Sequence, residues 1–71
     1  GRAKINAKNY LRNTPLHRAV NGGHIEVIRM LLKKGARINA RTKFDDTPLH
    51  IAIKTGNKKI IRFLENEGGL K

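Results

Sequence analysis

The sequence predicts an all-α solenoid of stacked helix-turn-helix units, and three observations carry that prediction. The word Thr-Pro-Leu-His stands at residues 14–17 and returns at residues 47–50, 33 positions later. The same offset pairs Ala3 with Ala36, Ile5 with Ile38, Asn6 with Asn39, Ala7 with Ala40, Ala19 with Ala52 and Gly23 with Gly56. It also pairs Ile28 with Ile61, Arg29 with Arg62, Leu31 with Leu64 and Gly35 with Gly68. Within each copy apolar residues recur at i, i+3 and i+4, the spacing of one buried helical stripe. Self-similarity at a fixed period of about 20–50 residues marks a repeat protein whose units bury their apolar faces against one another.

Each unit opens with Thr14 or Thr47, whose hydroxyl can accept a hydrogen bond from an orphan N–H of the first helical turn. Pro15 and Pro48 follow at the first helical position, where the missing N–H removes no hydrogen bond and the fixed φ is already helical. Leu16, Ala19 and Val20, with Leu49, Ala52 and Ile53 in the second copy, form the inner stripe of a short first helix. Gly23 and Gly56 can adopt the left-handed conformation that ends it. A second helix is expected over roughly Ile25 to Lys34 and Lys58 to Glu67, with Val27, Ile28, Leu31 and Leu32 as the apolar face of the first copy. Gly35 and Gly68 stop that helix, and Ala36-Arg37-Ile38-Asn39-Ala40 leaves in extended form toward a polar, turn-like connection ending at Thr47.

This chain resembles the ankyrin-repeat family in the doubled Thr-Pro-Leu-His, in Gly23-His24-Ile25-Glu26-Val27-Ile28 leading to Leu31-Leu32, and in the closing Gly35-Ala36-Arg37-Ile38-Asn39-Ala40. The resemblance covers nearly the whole chain and implies protruding, β-hairpin-like loops between the helix pairs. It divides the chain into the tail of a preceding unit (1–7), a first repeat (8–40) and a second, C-terminal cap-like repeat (41–71), so that Gly1 reads as lying inside a longer array. The departures matter too. Where the family usually places Asp and Gly before each Thr, this chain has Asn9 with Arg12, then Thr42 with Asp45. Arg tolerates a left-handed backbone less well than Asp, so the first loop is expected to be looser or differently shaped than the family norm. Glu65 stands where Leu32 does, Lys71 where Ile38 does and Lys59 where Glu26 does, which fits a polar outer face on a terminal repeat. About three repeats are usually needed for independent stability, so two predict marginal folding or self-association; a cooperative, concentration-independent melt above about 60 °C would contradict this.

Composition narrows the function classes. Seventy-one residues make one small domain with little core to spare. With no Cys there is neither a disulfide framework nor a thiolate metal cluster. No apolar run nears the ~18 residues of a membrane span and the start lacks an apolar signal core, so a cytoplasmic or nuclear, intracellular protein is expected. No serine occurs either, and the carboxylates are dispersed at Glu26, Asp45-Asp46, Glu65 and Glu67. Nothing assembles a nucleophile, a base and an orienting group, so no enzyme, cofactor or metal is expected. Asp45-Asp46 reads as turn-forming charge near a helix N-terminus. His17 and His50 occupy one equivalent position in successive units, where each can bond back to its Thr and across to neighbouring backbone. His24 belongs to the Gly-His turn, where Asn57 replaces it in the second unit.

Binding is the function that remains. In the family the variable contacts lie on loop tips and first helices, which implies Tyr10, Leu11 and Asn13 with Asn21 in the first unit. In the second it implies Lys43, Phe44 and Asp46 with Lys54 and Thr55. Leu11 and Phe44 can alternatively tuck against their own loop or the neighbouring unit. Net charge is +11, which opposes compaction and attracts anionic partners. Lys4 with Arg37 and Lys8 with Arg41 recur in register as ladders on the loop side, and Lys33, Lys34, Lys58, Lys59 and Arg62 add charge on the second helices. The expected partner is a protein with an acidic surface. Nucleic acid or an anionic surface is the alternative, with too few interleaved aromatics for a stacking platform, and a solvated basic face or a purely structural segment is the plainer one.

Overall fold

The computed structural model describes residues 5–69, so the expected anion contact Lys4 and the expected cap residue Lys71 lie outside the described residues. Four helices follow in order: α1 (Pro15–Gly22), α2 (Ile25–Lys33), α3 (Pro48–Thr55) and α4 (Lys58–Asn66). Each second helix ends one residue before its expected limit. The caps form as the residue types dictate: Thr14 and Thr47 take extended backbone, and each side chain accepts the N–H of the His three residues on. Gly23 and Gly56 close α1 and α3 at φ 74° and 75°, a conformation that a Cβ would disfavour. The second helices differ at their starts. Asn57 Oδ1 accepts the Ile60 N–H at 3.2 Å, whereas His24 in the same backbone position makes no side-chain cap bond.

α1 lies beside α3, with α2 packed behind α1 and α4 behind α3, which makes two layers of first and second helices. One core runs through both units, with Leu16, Val20, Ile28, Leu49, Ile60 and Leu64 fully or almost fully buried. Burying each such side chain stabilises the fold by roughly 1.5–3 kcal/mol before chain entropy is counted. Outside the helices the units are tied by Asn6. Its amide donates to the Gly35 carbonyl at 3.2 Å and its oxygen accepts the Arg37 N–H at 2.8 Å; Asn39 donates likewise to Gly68.

Two residues expected in the apolar stripes are exposed. Ile53 is the partner in sequence of the fully buried Val20, and Val27 is the partner of the buried Ile60. The reason is the direction of the stack. The second unit covers Val20 and the first unit covers Ile60, while Ile53 and Val27 face opposite ends where the described residues supply no cover.

The loops form as tight turns closed by backbone hydrogen bonds, with no strand among the described residues. Asn9 N–H donates to the Asn13 carbonyl at 3.1 Å and Thr42 N–H to the Asp46 carbonyl at 3.0 Å. The first loop takes the same turn as the second, with Arg12 at φ 61° and Asp45 at φ 65°. Asn9 explains this. Its Oδ1 accepts the N–H groups of Leu11 and Asn13, as Thr42 Oγ1 accepts those of Phe44 and Asp46, so the same turn is held by different side chains.

Candidate interaction surface

The two loop tips stand side by side because Lys43 N–H donates to the Leu11 carbonyl at 2.9 Å. On this framework Tyr10 is 87% exposed and Phe44 68% exposed. Phe44 therefore does not tuck in, whereas Leu11, its equivalent, is half-buried. Lys43 is exposed beside Phe44. The loop backbone is already fixed by its hydrogen bonds and each ring has only two side-chain torsions to immobilise, which suits contact with another surface.

Between the loops and the first helices lies a depression of about 310 Å³ bounded by Asn13, His17, Arg18, Asn21, Asp46, Ile51 and Lys54. Asn13 is half-buried and Asn21 exposed. Thr55 is exposed, but its hydroxyl donates to the Ala52 carbonyl at 2.9 Å. Asp46, expected to reach a partner, is instead buried and occupied. Both carboxylate oxygens accept from Lys54 Nζ at 3.1 Å, His50 Nδ1 lies 3.0 Å from Oδ1, and the Asp46 backbone N–H donates to Thr42 Oγ1. Its part is to hold Lys54, more than half exposed, against the helix face. Arg18 and Ile51 were not among the expected contacts. They share a register 33 positions apart, and Arg18 precedes Asn21 by three residues on the face opposite the buried stripe, a signal that was present in the sequence.

His17 closes the floor of the depression and is almost fully buried. Its Nδ1 takes the Thr14 N–H at 3.1 Å and lies 2.8 Å from the Thr14 hydroxyl, and Nε2 lies 3.0 Å from the Asp46 carbonyl. An amide N–H can only donate, so Nδ1 must accept and Nε2 must carry the proton. The ring is thus neutral and joins the two units. Its pKa is lowered from 6.5, chiefly because burial disfavours the charged form, with Lys8 adding repulsion; hydrogen bonds to the Asp46 and Ala40 backbones oppose the shift. His50, the identical residue one unit on, is half-exposed and bonds to no further unit among the described residues.

The basic ladders are only partly available. Lys8 and Arg37 are exposed, and Arg41 is paired with Asp45 at 3.0 Å. Among the described residues no cluster of His, Cys, Asp and Glu could hold a metal ion, and no helix is long and apolar enough to cross a membrane.

Two stacked helix pairs joined by turns that project a row of side chains define a helical-repeat solenoid. A profile for ankyrin repeats in many copies matches the chain over residues 2–32 and again over residues 16–65. The chain belongs to the ankyrin-repeat family, whose members are generally protein–protein interaction modules and typically non-catalytic. No curated protein matches it.

Proposed function

We propose that this chain is a non-catalytic module that binds another protein through its loop tips and first helices. Tyr10 and Phe44 are the anchors, and Lys43, Lys54 and Arg18 meet acidic groups around them. The observation that carries this reading is the exposure of the two rings on a doubly bonded loop framework. Aromatic residues in such positions carry a large share of binding energy, whereas surrounding cations mainly raise encounter rates and set polarity. Lys8 and Arg37 contribute to that long-range attraction.

The test compares the wild type with a Tyr10→Ala, Phe44→Ala double variant in capturing proteins from cell extract at about 50 mM and about 150 mM salt. Loss of captured partners from the folded variant at both salts supports the reading. Full retention refutes it. Collapse of all capture between the two salts, with unrelated nucleic acids competing equally, also refutes it and favours a polyanion ligand.

A further inference from the structure

A second surface lies on the layer of second helices, away from the loops. α2 and α4 approach one another less closely than α1 and α3, and a cleft of about 650 Å³ opens between them. Met30, Leu32 and Phe63 give it its apolar part, with Met30 47% exposed and Phe63 half-buried, beside the charged Glu26, Arg29, Lys33 and Glu67. Met30 and Phe63 are equivalents one period apart, as are their neighbours Arg29 and Arg62. The Arg29 guanidinium lies over the Phe63 ring at 6.0 Å from its centre, the outer limit of a cation–π contact. On the far side of the same ring Lys58, Lys59, Arg62 and Asn66 bound a second depression of about 620 Å³.

The charge balance here is lopsided. Residues 25–34 and 58–67 carry six cations, Arg29, Lys33, Lys34, Lys58, Lys59 and Arg62, against Glu26, Glu65 and Glu67. The ion pairs formed among the described residues are Arg41–Asp45, His50–Asp46 and Lys54–Asp46, all at the second loop and α3. None of the six second-helix cations takes part in one. An apolar centre of Met and Phe rimmed by Arg and Lys has the anatomy of a protein interface, and Met adapts to the shape of whatever it meets.

We propose that the α2–α4 cleft together with the basic depression beyond Phe63 is a second docking site, and that its occupant is an acidic amphipathic segment of another protein lying across the ring. An apolar side chain of the segment enters between Met30 and Phe63, and its carboxylates face Arg29, Lys33, Lys59 and Arg62. A nucleic acid fits less well. Phe63 is the sole aromatic residue lining either depression, too few to stack successive bases, and the apolar side chains of Met30 and Leu32 find no counterpart on a phosphate backbone.

The test is fluorescence anisotropy with three labelled probes of equal charge: an amphipathic peptide with Glu on one helical face and Leu on the other, a Glu-only peptide, and a single-stranded oligonucleotide. At about 150 mM salt the amphipathic peptide binds the wild type at least about tenfold more tightly than the Glu-only peptide. Met30→Gln, at an exposed site that leaves the fold intact by circular dichroism, weakens it about fivefold or more, as does Phe63→Ala. Arg62→Gln weakens it and flattens its salt dependence, and Tyr10→Ala leaves it unchanged. Equal binding of the Glu-only peptide or the oligonucleotide overturns the proposal, as does full affinity in folded Met30→Gln. A loss with Tyr10→Ala overturns it too, by moving the peptide to the loop surface.

Discussion

Replacing His17 by Ala tests how the stack is held together, because the same substitution at His50 is its internal control. His17 is buried, and its loss leaves the Thr14 N–H and the Asp46 carbonyl without the ring that satisfies them. Each buried unsatisfied group costs about 1–3 kcal/mol, and the space left by the ring adds to this, so His17→Ala is expected to destabilise by roughly 3–5 kcal/mol. A domain of this size has a total stability of roughly 4–10 kcal/mol, so the substitution removes a large share of it. His50 is half-exposed and meets the Asp46 carboxylate, which keeps Lys54 when the ring is gone. His50→Ala is therefore expected to cost under about 1 kcal/mol. Urea denaturation followed by circular dichroism at neutral pH measures both, with the slope checked for two-state behaviour. Equal losses for the two variants, or a loss under about 1 kcal/mol for His17→Ala, would refute the account of His17 as the tie between units.

Three further expectations follow from the same contacts. Because the folded pKa of His17 lies below 6.5, the unfolded chain binds more protons in mild acid; the stability this group confers is complete above about pH 6.5 and is lost as pH falls toward the folded value, at up to about 1.4 kcal/mol per pH unit. A His17→Gln variant should lack that segment of the pH–stability curve, and an unchanged slope would contradict the neutral-ring assignment. Arg12→Gly should stabilise by about 0.5–1 kcal/mol in thermal or urea melts, since relief of a left-handed Arg exceeds the entropy added to the unfolded chain; a net loss would mean that the Arg side chain itself holds the loop. His24→Asn should transplant the Asn57 cap onto α2 and raise stability by about 0.5–1 kcal/mol, and no gain would show that the backbone match between the two caps does not suffice.

Much of the first unit could be read directly from residue types, because caps and stops are local. Thr14, Pro15 and Gly23 define the ends of α1 through the backbone groups within four residues of them, and the 33-residue offset carries the same logic to Thr47, Pro48 and Gly56. The loops depend on more than single residues. Arg12 adopts the left-handed backbone that its type disfavours because Asn9 bonds two N–H groups of the same turn, a contribution that a residue-by-residue preference does not include. Asp46 was misjudged as a partner contact for a similar reason: its company, Lys54 and His50, arrives on the next helix.

The sequence by itself determined the repeat, the helices and their boundaries, since these depend on spacing and on bonds that close within one turn. Only the tertiary structure decided which member of each equivalent pair is buried. His17 and His50 are one residue in one word, as Val20 and Ile53 occupy one position in one stripe, yet the first of each is sealed by the neighbouring unit and the second is not. The period places residues within a unit; burial, tautomer and pKa depend on what stacks against that unit. The cleft between α2 and α4 likewise exists only once two second helices diverge around Met30 and Phe63.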